Sequence, residues 1–117
     1  MRETQPFDRV RRLGLRLPNV EEGTAYGSPA LKVRGKMFAC IPTHRSAEPN
    51  SLAVRMSFVE RDLRLQAEPD VYYLTPHYEG HAVVLVRLAR VGDKVLKELL
   101  EVGWQFEGAR AKGGRRR

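Results

Sequence analysis

Residues 51–60, SLAVRMSFVE, decide the fold class, because a strand pattern and a helix signal meet within them. Apolar side chains at every second position from Leu52 to Met56 alternate with smaller or polar ones, which is the period of a half-buried β-strand. Ser57 and Glu60 then have the spacing of a helix capping box. The sequence therefore predicts a strand that leads directly into a short helix.

Two further elements are predicted upstream of this stretch. An amphipathic pattern from Phe7 to Leu17 indicates a first helix. Residues 26–41, YGSPALKVRGKMFACI, alternate apolar and basic side chains and then turn at Gly35, which indicates a β-hairpin.

Downstream, residues 71–78 and 82–91 read as two strands joined through Glu79 and Gly80, and the apolar stripe of residues 94–106 indicates a final helix. The element order is therefore α-β-β-β-α-β-β-α. Strands joined by hairpins pair antiparallel, and amphipathic helices bury their apolar side against the sheet. We predict an α+β fold with an antiparallel sheet of about five strands and helices packed on one face.

The charge of the chain is concentrated at its end. The formal net charge is +7, and residues 110–117, RAKGGRRR, supply five positive charges and no acid. Residues 1–109 hold 16 basic and 14 acidic side chains. We predict that residues 1–109 form a single domain and that residues 110–117 are a disordered basic tail, which would add nonspecific attraction to phosphates.

Composition also constrains the cellular environment. No apolar run approaches the roughly 20 residues of a membrane-spanning helix, so no membrane association is predicted. The first residues lack the apolar stretch of a secretory signal, and the single cysteine, Cys40, excludes an internal disulfide. We therefore expect a cytoplasmic protein.

Four stretches together resemble a known family. They are LPNVEEG (17–23), YGSPALKVRGKMFA (26–39), LAVRMSF (52–58) and HYEGHAVVLVRL (77–88). At these separations they resemble the MmcQ/YjbR-like family over roughly residues 7–106. The resemblance implies a small α+β protein of the frataxin-like (CyaY-like) fold, and DNA binding through a double wing of hairpins. The sequence departs from the family at residues 81–83, His-Ala-Val, where relatives often have an aromatic residue, a proline and a tryptophan.

The likeness to frataxin raises iron binding, and the first helix argues against it. That activity relies on an acidic ridge that includes the first helix. Here the helix carries Arg9, Arg11, Arg12 and Arg16 against Asp8 alone. Because a cluster of arginines repels Fe²⁺, no iron site is expected, and no other metal or cofactor is predicted.

The leading functional hypothesis is DNA binding through the first hairpin. If the apolar positions of that hairpin face the core, its basic side chains project outward and can contact a phosphate backbone. The predicted contacts are Lys32, Arg34, Lys36, Arg45 and Arg55. A charged strand face that only maintains solubility is the alternative interpretation of these residues.

Residues 72–81, YYLTPHYEGH, carry a second hypothesis. A cleft near Tyr26, Tyr73 and His77 would bind a small molecule or a protein. A third and less favoured hypothesis is a metal-dependent enzyme built on His77, Glu79 and His81. The turn between the two predicted strands favours ordinary hairpin residues over metal ligands.

No catalytic residue is predicted. Cys40 lies in a strand expected to be buried, where cysteine behaves as a small hydrophobic residue. Ser28 precedes Pro29 without the glycine pattern of a nucleophile elbow. We therefore predict a non-catalytic binding domain, with DNA as the leading ligand and a protein or small-molecule ligand as the alternative.

Overall fold

A computed structural model describes residues 6–113, with side chains described through residue 110. The elements are helix α1 (Pro6–Gly14), strands β1 (Val20–Ala25), β2 (Ser28–Val33), β3 (Lys36–Cys40) and β4 (Ser51–Arg55), helix α2 (Phe58–Ala67), strands β5 (Tyr72–Tyr73) and β6 (Val83–Arg87), and helix α3 (Asp93–Gly113). Short 3-10 helices lie at Pro76–Tyr78 and Leu88–Arg90. The predicted α+β class and element order are confirmed, with one strand more than expected.

One six-stranded sheet has the order β1-β2-β3-β4-β6-β5, and every neighbouring pair is antiparallel. The additional strand is β1, which pairs with β2 from Val20 opposite Val33 to Ala25 opposite Ser28. Its sequence, VEEGTA, has no buried residue. An edge strand pairs through its backbone, so it can form without the alternation of apolar and polar side chains that marks a half-buried strand. The prediction of about five strands therefore missed this one.

The main core lies on one face of the sheet, beneath α1 and α3. Apolar side chains from β2, β3 and β4 meet those of the two helices there, including Val10, Leu31, Phe38, Leu52, Val54, Leu96, Leu99 and Leu100. The prediction that the first and third helices pack on one face is confirmed. Gly14 permits close approach, because a Cβ at that position would overlap the side chain of Leu31.

The α2 boundary follows the predicted capping signal. The Ser57 side chain accepts a hydrogen bond from the backbone N–H of Glu60 at 3.1 Å. Within the helix, Arg61 is buried and its Nη1 donates to the backbone carbonyls of Glu79 and His81, each at 2.9 Å. Helix α2 thereby fixes the turn that precedes β6.

Several predicted boundaries were wrong. Strand β6 ends at Arg87, because a 3-10 helix follows where the strand was predicted to continue to residue 91. Strand β5 contains only Tyr72–Tyr73, because Pro76 starts a 3-10 helix where the sequence pattern indicated a continuous strand. Helix α1 ends at Gly14, earlier than the pattern indicated. Helix α3 continues to Gly113, beyond its predicted end at residue 106. The disordered tail stays a prediction, and residues 114–117 of that segment lie outside the described residues.

Among residues 6–113, no helix is long and apolar enough to cross a membrane.

Candidate functional site

The second face of the sheet carries a smaller apolar cluster and a cleft of about 540 Å³. Side chains alternate between the two faces along each strand, so residues that do not face the helices collect here. Met37, Cys40, Ala53 and Val83 form the apolar floor of the cleft. Its volume lies within the range of small-molecule sites, which is about 300–1,000 Å³.

All three histidines of the chain line this cleft. The rings of His44 and His77 stack, with centroids 3.7 Å apart and planes 11° from parallel. The ring of His81 lies 6.3 Å from that of His77. The ring of Tyr78 meets that of His77 edge-on, with centroids 4.8 Å apart. The Tyr78 hydroxyl also accepts a hydrogen bond from the backbone N–H of His44 at 3.3 Å, so Tyr78 contacts both residues of the stacked pair.

The position of His44 is fixed by a network between two loops. The backbone N–H of Ser46 donates to Nδ1 of His44 at 3.1 Å, so this nitrogen is an acceptor and the proton of the neutral ring lies on Nε2. The hydroxyl of Ser46 also lies 2.7 Å from that Nδ1 and 2.7 Å from the hydroxyl of Thr75. Desolvation lowers the pKa of His44, and the nearby His77 and Arg45 lower it further.

Arg55 supplies a fixed positive charge to the cleft. Its Nε donates to the Oε2 atom of Glu107 on α3 at 2.7 Å, and the Glu107 side chain is only 5% exposed. The guanidinium also lies 5.9 Å from the ring centroid of Phe106, and Arg110 approaches the same carboxylate at 3.6 Å. Among the described residues, the terminal nitrogens of Arg55 have no hydrogen-bond partner. Arg55 is also one of the residues that line the cleft.

Tyr26 lies at the rim of the cleft in an unusual conformation. It forms the turn between β1 and β2 together with Gly27, with φ angles of 55° and 79°. Positive φ at both central residues defines a type I′ turn, in which asparagine followed by glycine is preferred. The Tyr26 side chain is nonetheless 88% exposed, so no contact with the core explains its presence there.

Of the three predicted cleft residues, the structure brings together Tyr26 and His77 and places Tyr73 elsewhere. The hydroxyl of Tyr73 lies 2.6 Å from that of Ser51 and accepts from the backbone N–H of Glu48 at 2.8 Å. Arg87 lies over the Tyr73 ring, 4.4 Å from its centroid. Tyr73 therefore anchors the loop that precedes β4.

The five predicted phosphate contacts do not lie on one surface. Arg34 and Lys36 are exposed at the β2–β3 turn, whereas the stem of Lys32 lies across Gly23 of the neighbouring strand. Arg45 is exposed in the loop that follows the opposite end of β3, and Arg55 is paired with Glu107. Strands β2 and β3 lie inside the sheet, so this hairpin projects only its turn.

Metal ligation has little geometric support. In the described part of the chain, no group of three or more His, Cys, Asp or Glu side chains is arranged to hold a metal ion. Burial raises the pKa of the Cys40 thiol to about 11, which disfavours the thiolate that a metal or an electrophile would require.

A second depression, of about 370 Å³, lies beside the C-terminal part of α3. It is lined by residues that include Val33, Trp104 and Gly108, and Arg34 is its charged residue. The described residues that line it form no cluster of convergent polar side chains comparable to that of the larger cleft. The cleft is therefore the stronger candidate for a functional site.

The fold and the cleft define a class of small α+β proteins with one sheet, helices on its first face and an accessible second face. A family model described as YjbR matches residues 15–106. The chain belongs to the YjbR family.

Similar proteins extend this assignment. The chain is 39% identical over 69 residues to the uncharacterized protein Rv2570 of Mycobacterium tuberculosis strain H37Rv, and equally to the uncharacterized protein Mb2600 of Mycobacterium bovis. Each match covers 56% of this chain and 54% of the relative, so it spans about half of the relative's length.

The fold also resembles the crystal structure of Deinococcus radiodurans protein DR2400, a DUF419 domain. The TM-score is 0.71 at 22% identity, over 97% of this chain and 83% of that chain. At this identity the likeness supports the fold alone.

Proposed function

We propose that this protein is a non-catalytic domain that binds a small molecule in the cleft on the second face of the sheet. The observation that carries this proposal is the combination of an apolar floor with polar side chains that are already fixed around it. Small-molecule sites are concave, mostly apolar and furnished with a few oriented polar groups. The cleft has about 540 Å³ of space, a stacked histidine pair and one arginine.

Two features support binding without catalysis. The described residues that line the cleft include no aspartate or glutamate that could act as a general base. The Nδ1 atom of His44 is already occupied by Ser46, and the thiol of Cys40 stays protonated near neutral pH. The cleft therefore has groups that recognise a ligand but no activated nucleophile.

A fragment screen by thermal unfolding tests the proposal. We would compare the wild-type chain with a Thr43→Trp variant, because Thr43 is exposed and lines the cleft, so the indole can fill the space without removing core contacts. Thr24→Trp is the matched control, since Thr24 is exposed and does not line the cleft.

We expect fragments that raise the unfolding temperature of the wild type and of Thr24→Trp, but not of Thr43→Trp, because ligands stabilise the state that they bind. Fragments that stabilise all three chains equally would place the binding site elsewhere and contradict the proposal.

DNA binding is a second candidate, favoured by one observation: Arg34 and Lys36 are exposed at the β2–β3 turn. Fluorescence anisotropy with a labelled duplex at several salt concentrations tests it. Under this candidate, replacing Lys32, Arg34 and Lys36 by alanine weakens binding at least about tenfold and reduces its salt dependence. A variant with Arg115, Arg116 and Arg117 changed to glutamine separates the contribution of the terminal charges. Unchanged affinity in the hairpin variant would exclude the hairpin as a DNA contact.

A further inference from the structure

Tyr26 is the feature that the proposed function leaves unexplained. A bulky residue with a φ of 55° is uncommon, although Arg34 has the same conformation in the turn between β2 and β3. Its ring is 88% exposed beside the cleft, so it gains little from burial in the unliganded protein. An aromatic ring held at a rim offers a flat surface to whatever enters.

The aromatic side chains lie toward one end of the cleft. The backbone N–H of Ile41 bonds to the carbonyl of Pro29, which places the start of β2, and with it the Tyr26 turn, beside the end of β3. His44 lies in the loop that follows β3, and His77, in the 3-10 helix Pro76–Tyr78, stacks on its ring. This end of the cleft therefore presents several planar rings to a ligand.

The positive charge lies toward the other end. Arg55 is opposite Val83 in the β4–β6 register, and His81 precedes that strand by two residues. Ala53, on the floor, pairs with Cys40 and lies two residues before Arg55, which is about 7 Å along the strand. Because Glu107 holds Arg55 through Nε, the terminal nitrogens remain to bond a ligand oxygen.

We propose that the ligand of the cleft is a small planar anion, an aromatic carboxylate, whose ring stacks on Tyr26 at one end and whose carboxylate bonds Arg55 at the other. This assignment of ligand class rests on the proposed function. No described residue that lines the cleft is acidic, and the one carboxylate beside Arg55, that of Glu107, is shared with Arg110, so these three groups together carry one net positive charge. One net positive charge matches one carboxylate, whereas a phosphomonoester would leave a second negative charge unpaired.

Four probes separate the parts of this proposal in NMR titrations of the ¹⁵N-labelled full chain. The first is 2-naphthoate, which is planar and anionic. The second is 2-naphthamide, which is planar and neutral. The third is decahydronaphthalene-2-carboxylate, which is anionic and not planar, and the fourth is 2-naphthyl phosphate. We expect 2-naphthoate to bind at least about tenfold more tightly than each of the other three, with shifts confined to cleft residues.

Two variants assign the contacts. Arg55→Gln combined with Glu107→Gln removes both charges of the pair without leaving a buried carboxylate alone, and it should abolish the preference for 2-naphthoate over 2-naphthamide. Tyr26→Asn should abolish the preference over the decahydro compound, and Tyr26→Phe should retain it. Arg45→Gln is the control for removing an exposed positive charge nearby, and it should change neither preference.

Equal affinity for all four probes, or a preference that survives both variants, would overturn the assigned ligand class. Binding of neutral fragments at the cleft together with no binding of 2-naphthoate would also overturn it, while leaving the proposed function intact. Absence of any binding at the cleft would remove the proposed function as well. Tighter binding of 2-naphthyl phosphate than of 2-naphthoate would replace the carboxylate by a phosphate ester.

Discussion

Tyr26 shows at the residue scale how the proposed ligand site can conflict with folding. Its backbone has a φ of 55° at the first position of the two-residue turn Tyr26–Gly27, a position at which asparagine is favoured. A left-handed conformation costs a non-glycine residue roughly 1–2 kcal/mol, and asparagine tolerates it better than tyrosine. Among the described large hydrophobic residues, the one with the greatest exposure is therefore also in a strained conformation.

We predict that Tyr26→Asn stabilises the protein by about 1 kcal/mol, because the strain is relieved and little buried area is lost. Urea unfolding measures this change in the free energy of unfolding. Tyr26→Phe, which keeps both ring and backbone, is expected to match the wild type. A Tyr26→Asn variant that is less stable than the wild type would show that the ring contributes to folding, and the interpretation of the turn would be wrong.

His44 gives a pH dependence at the same scale. Its pKa is lowered in the folded chain by desolvation, by His77 and by Arg45, and its ring also faces Tyr78. The unfolded chain then binds this proton more readily than the folded chain. The stabilisation from neutral His44 is complete above the unfolded pKa of about 6.5 and is lost as the pH falls below it.

We therefore expect the free energy of unfolding to decrease between pH 7.5 and pH 5, and to decrease less in a His44→Gln variant. Urea unfolding at each pH gives the comparison. Proton NMR of the imidazole signals supplies a direct check. A His44 pKa at or above 6.5 would contradict the contact network described here.

At the element scale, the sequence was informative where its signals were local. The strand from Leu52 and the capping pair of Ser57 and Glu60 depend on residues a few positions apart, and both are found as predicted. Strand β1 depends instead on pairing with β2, and its exposed residues have no pattern of their own. The β5 strand was predicted too long because aromatic β-propensity outweighed the signal of Pro76.

Replacing either of two glycines in α3 by alanine is expected to change the stability of the protein in opposite directions. A Cβ at Gly103 would lie 3.0 Å from the carbonyl oxygen of Phe38 and 3.1 Å from that of Arg55, and strand carbonyls cannot move away as a flexible side chain can. A Cβ at Gly108 would meet only Val33, at 3.9 Å. We expect Gly103→Ala to destabilise the protein by about 1–3 kcal/mol through overpacking. Gly108→Ala should stabilise it by about 0.5–1 kcal/mol through helix propensity.

Chemical denaturation of the two variants beside the wild type tests this pair. Each change adds one methyl group to the same helix, so the difference between them reports the approach of α3 to β3 and β4. If both variants gain stability, the helix does not lie as close to the sheet at Gly103 as described.

At the scale of the whole molecule, the cleft could be predicted only in part. The cluster of aromatic and histidine residues at 72–81 indicated a binding region, and it supplies His77, Tyr78 and His81. His44 and Arg55 come from other parts of the chain and reach the cleft through strand register and a loop, which no local pattern encodes. The frataxin-like likeness, the cytoplasmic location and DNA binding stay predictions.

The most direct test of the central claim is a ¹⁵N–¹H correlation spectrum of the full chain, recorded during titration with the fragments that stabilise it. We predict that the perturbed amides belong to residues of the cleft, including Cys40, Thr43, His77 and His81, and that Thr43→Trp abolishes the perturbations. Perturbations centred on Asn19 and Trp104, beside the smaller depression, would contradict the account, as would fragments that bind the Thr43→Trp variant unchanged.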